Sequence, residues 1–67
     1  MKTLTQEENE KINDLSDEVF GNMRATMIIR DKTSNVLLKI IMNEQLKKLA
    51  EIESVLTAII TQENKND

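Results

Sequence analysis

The chain reads as all-α: an antiparallel hairpin of two long helices that assembles with a second copy, or more, into a homo-oligomeric helical bundle. Three observations predict this. The 67 residues contain no Pro and a single Gly, a shortage of breakers that a many-turned β fold does not tolerate. Apolar side chains recur at spacings of three and four through both halves of the chain, the period of an amphipathic helix. Finally, a chain of this length buries only about 60 % of the surface its unfolded form exposes, and with no Cys and no His it lacks disulfides and the commonest metal ligand as reinforcement. Association with other copies is the reinforcement that remains.

The first helix is predicted over residues 6–30. Thr5 precedes Glu8 by three positions, so the hydroxyl can accept from the Glu8 N–H while the carboxylate reaches back to the Thr5 N–H. Glu7, Glu8 and Glu10 also complement the positive end of the helix dipole. At 100° per residue, Ile12, Leu15, Val19, Met23 and Met27 fall in one stripe about 120° wide. Its phase runs unbroken past Gly21, which projects from the opposite side; the rival reading makes Gly21 a C-terminal cap followed by a second short helix. A turn is expected at residues 31–34, where Asp31, Thr33 and Ser34 are all capping types. The second helix is predicted over residues 35–62, with Leu38, Met42, Leu49, Ile52, Leu56, Ile59 and Ile60 on one stripe. Gln45 interrupts that stripe, either as a polar register-setting residue or with its amide reaching the edge. Residues 63–67 hold no apolar side chain and are expected to fray. A different plan, a strand over residues 25–29 followed by two helices as in ribbon-helix-helix DNA-binding dimers, requires a break after residue 35 that neither Gly nor Pro provides.

Two near-equal helices joined by about four residues form an antiparallel hairpin. Two helices cannot enclose a core, and a dimer of hairpins, a four-helix bundle, is the simplest closed solution. Composition narrows function by exclusion. The absence of Cys and His removes thiol and imidazole chemistry, the one Gly removes phosphate-cradling loops, and a single aromatic residue removes base-stacking platforms. No enzyme activity, metal or cofactor is expected. The net charge of −3 disfavours nucleic acid as a partner, and no apolar run exceeds three residues, so neither a membrane span nor a signal peptide is predicted. The expectation is a cytoplasmic protein, and the excess of Lys over Arg together with eight Ile and seven Asn suits an AT-rich genome such as that of a phage or plasmid of a low-GC bacterium.

Two surfaces stand out. Ile28, Ile29, Val36, Leu37 and Ile40 lie close to the turn and off both stripes, so residues 27–42 are apolar nearly all round. Such a segment is normally covered, by another copy of the chain or by a different protein. The favoured function is accordingly a small interaction protein, acting as regulator, inhibitor or chaperone by protein–protein binding. Charge supplies the alternative. Residues 6–20 carry six acids and one base, residues 21–50 six bases and two acids, and residues 51–67 four acids and one base, so folding the hairpin makes one end acidic and the turn end basic. That polarity can guide an antiparallel dimer, or Arg24, Arg30, Lys32 and Lys39 can hold an anion such as RNA or a nucleotide beside the start of the second helix.

Overall fold

A computed structural model describes residues 3–64. They form two helices, α1 (Gln6–Lys32) and α2 (Val36–Asn64), packed against each other along their length. The segment over residues 25–29 is helical, which disposes of the strand alternative. α1 begins where the capping residues place it: Thr5 Oγ1 accepts from the Glu8 N–H at 3.1 Å and Glu8 Oε1 from the Thr5 N–H at 2.9 Å. It runs through Gly21, whose φ is not positive and which is exposed, so the stripe's continuous phase and not the breaker decides the outcome. Arg30 and Lys32 lie in the last turn, where positive charge is favourable.

The turn comprises residues 33–35, later than expected by two residues at its start and one at its end. Asp31 and Lys32 remain helical because the helix closes through an extended Thr33, whose N–H still donates to the Ile29 carbonyl at 3.0 Å. Thr33 Oγ1 then accepts from the Asn35 N–H at 3.0 Å, and Asn35 Oδ1 accepts from the Leu38 N–H at 3.0 Å. Asn35 is thus the N-terminal cap of α2, a role its amide oxygen suits. At the far end Glu63 and Asn64, expected to fray, are helical, held by bonds that Glu63 makes across the hairpin; residues 65–67 of the expected frayed tail lie outside the described residues.

The seam between the helices is narrow and half polar. Among the described residues Val19, Leu49 and Leu56 are the buried apolar ones, with Ile12 and Met23 partly buried beside them. Ser16, Thr26, Glu53 and Glu63 are buried with them. Thr26 satisfies its hydroxyl on its own helix, donating to the Asn22 carbonyl at 2.7 Å, and so presents its methyl to the seam. Leu15, Met27 and Ile52, which belong to the predicted stripes, are exposed: one helix facing one other covers less than the roughly 120° that the apolar pattern occupies. Gln45 is exposed as well, in keeping with an amide at the edge of the stripe.

Candidate interaction surface

Eleven large apolar side chains are between 39 % and 72 % exposed among the described residues, against three that are buried. All five residues singled out near the turn are among the exposed ones: Ile28, Ile29, Val36, Leu37 and Ile40. The hairpin divides them among three sides, the back of α1, the back of α2 and one flank. By helical phase, Ile28, Val36 and Ile40 project from the backs of their helices, away from the seam, whereas Ile29 and Leu37 lie on a flank of the hairpin beside Ile41. That flank continues toward the open end through Leu15, Ile52 and Val55, all exposed, and Glu51, Ile52, Val55 and Leu56 line a shallow apolar depression on it. From their stripe positions Leu15 and Ile52 read as core and not as surface residues. The signal that could have found them is the width of the stripe, which exceeds what one neighbouring helix can cover.

The opposite flank is marked by a polar node. Ser16 Oγ donates to both carboxylate oxygens of Glu53, at 2.8 and 3.1 Å, and Thr57 Oγ1 donates to Glu53 Oε1 at 2.9 Å. A buried carboxylate is tolerated only where donors surround it, and here hydroxyls from both helices do so, tying one register of α1 on α2.

The acidic open end is closed by a second carboxylate. Glu63 accepts from the Leu4 N–H at 2.7 Å, from the Thr3 N–H at 3.0 and 3.1 Å, and from the Thr3 hydroxyl at 3.2 Å. These bonds, the Leu4 and Thr3 backbone N–H groups foremost, hold its carboxyl below the ordinary value of 4.5. Next to it Leu4, Thr5, Gln6, Asn9, Glu63 and Asn64 line a small cleft, and the buried Asn9 Oδ1 has no hydrogen-bond partner among the described residues.

At the basic end, Arg30 Nε is paired with Asp31 at 3.0 Å and its Nη1 reaches Asn43 Oδ1 at 3.5 Å. Arg24, Lys32 and Lys39 are exposed, with Arg24 nearly two turns, about 9 Å, before Arg30 along α1. The α2 N-terminus that would assist an anion already has its Leu38 N–H on the Asn35 side chain. Among the described residues no cluster of three metal-ligating side chains occurs, and no helix is long and apolar enough to cross a membrane.

Comparisons with protein families, with curated proteins and with solved structures return no match to this chain. What its surface does follows from its own side chains.

Proposed function

We propose that this chain is a non-enzymatic interaction protein: a homo-oligomeric helical hairpin that regulates, inhibits or chaperones another protein by binding it through apolar side chains near the turn. The observation that carries this reading is the excess of exposed over buried apolar side chains, concentrated at residues 27–41. Water disfavours exposed apolar side chains in such number, and on small proteins apolar surface of this extent serves for contact. Aliphatic residues dominate it, with Met27 adding an adaptable contact.

Ile40 tests the reading because it lies on the back of α2, 53 % exposed and remote from the seam. Ile40→Asp in the isolated protein is expected to keep its helicity and to change stability by no more than about 0.5 kcal/mol, while pull-down from the native host loses the protein partner that the unaltered chain retains. Retention of every partner by the variant contradicts the reading. Anion binding is distinguished by salt, since phosphate contacts weaken steeply as ionic strength rises and apolar contacts do not. Salt-sensitive binding of an RNA oligonucleotide, abolished by Arg30→Glu with Lys32→Glu, would replace the proposed function with that alternative.

A further inference from the structure

A single hairpin is one helix thick. Its extents are 49 × 15 × 12 Å and its radius of gyration is 15.2 Å, against about 11 Å for a compact domain of this length. It exposes 5213 Å², where a compact monomer of 7.7 kDa exposes about 4,300 Å². The difference, about 900 Å², is close to the roughly 800 Å² that each partner loses in a standard protein–protein interface. The hairpin therefore carries one interface's worth of surface more than a finished small protein does.

The location of that surface follows from helical phase. On α2, Leu37, Ile41, Ile52 and Val55 fall within about 60° of one another, turned about 90° from the line of Leu49, Glu53 and Leu56. On α1, Leu15 and Ile29 are displaced from the seam in the same rotational sense. Antiparallel helices wind oppositely when viewed from one end, so both sets lie on one side of the hairpin. The Ser16–Glu53–Thr57 hydrogen bonds occupy the other side, as the same handedness requires. The six residues form two clusters, Ile29, Leu37 and Ile41 toward the turn and Leu15, Ile52 and Val55 toward the open end.

Charge then selects the occupant and its direction. The open end carries the six acids of residues 6–20 together with Glu51, Glu53 and Glu63, and the turn end carries Arg24, Arg30, Lys32 and Lys39. A second copy laid parallel superimposes acid on acid and base on base, whereas an antiparallel copy sets each basic end over an acidic one. We infer that a second copy of this chain covers the flank bearing Leu15, Ile29, Leu37, Ile41, Ile52 and Val55, running antiparallel so that the turn-end cluster of each copy meets the open-end cluster of the other. This rests on the reading of the chain as a self-associating interaction protein and deepens it. The dimer leaves Ile28, Val36 and Ile40 on its outer backs near both ends, where a different protein can reach them.

The chain has no Cys, so Ser34→Cys in the turn takes a single spin label clear of the flank. Double electron–electron resonance on the labelled protein is expected to give one separation of about 35–45 Å, the rise of some two dozen helical residues. A separation under about 25 Å means turn beside turn and overturns the antiparallel arrangement. Sedimentation of Val55→Asp is expected to show the dimer dissociation constant raised more than about thirtyfold, a hot-spot loss, with Ile40→Asp unchanged. If Ile40→Asp dissociates the dimer and Val55→Asp does not, the flank is wrong while self-association stands. A folded monomer with no dipolar signal overturns both. Should Val55→Asp fail to fold, the label separation in the otherwise unaltered chain still decides.

Discussion

At Gly21 an ideal Cβ built on the backbone meets nothing within 4 Å, and the residue sits in the middle of an uninterrupted helix. Glycine there keeps a backbone freedom in the unfolded chain that alanine lacks, and it contributes no side chain to the fold. Gly21→Ala is therefore expected to stabilise the protein by about 0.5–1 kcal/mol, measured as a rise in the denaturant midpoint with unchanged slope; a loss of stability would show that the helix needs a glycine at this point. The unbroken helix was legible in the sequence, because the stripe through Val19 and Met23 keeps its phase across the glycine. The burial of Ser16, Thr26 and Glu53 was not. Nothing in a hydroxyl or carboxylate at a helical position announces that its partners come from the facing helix, and polar residue types read by default as solvent-exposed. Leu15 and Ile52 fail in the opposite direction, as apolar residues inside a stripe that a single neighbouring helix leaves half uncovered.

Each helix starts as its local chemistry dictates. The Thr5–Glu8 capping box was readable from four consecutive residues and the short polar turn from its composition, although α1 runs two residues further and α2 starts one residue later than expected. The open end could not be read in that way, since Glu63 and Thr3 are sixty positions apart and meet only once the hairpin has closed. Glu63 there satisfies backbone donors just upstream of α1, joining the start of one helix to the end of the other. Its carboxyl is lowered in the folded state by those N–H bonds, so folding favours the ionised form. The resulting stabilisation is complete above the ordinary value of 4.5 and is lost as the pH falls below it through the lowered folded value. Glu63→Gln is expected to unfold more readily than the unaltered chain at neutral pH and to show a shallower decline in stability between about pH 5 and 3. Thermal unfolding across that range checks both, and parallel declines for the two proteins would show that Glu63 is not an acid-sensitive contact.

At the scale of the whole molecule, three buried apolar side chains among the described residues, along a 49 Å rod, are a poor core for a chain that must offset roughly 1–2 kcal/mol of backbone entropy per residue. The hairpin was legible from period, length and the lack of breakers. What covers its exposed aliphatic surface was not, because such a surface specifies area and shape and carries none of the residue signatures that mark catalysis or nucleic-acid readout. The claim on which the rest depends is that the hairpin is half of the folded unit. If folding and association are one event, mass action makes stability depend on protein concentration. Chemical unfolding followed by circular dichroism from about 1 to 100 μM, with mass measured by sedimentation equilibrium in the absence of denaturant, tests this directly. A midpoint that climbs with concentration, and a native mass of twice 7.7 kDa or more, is the expected result; a concentration-independent midpoint with a folded 7.7 kDa species would contradict it.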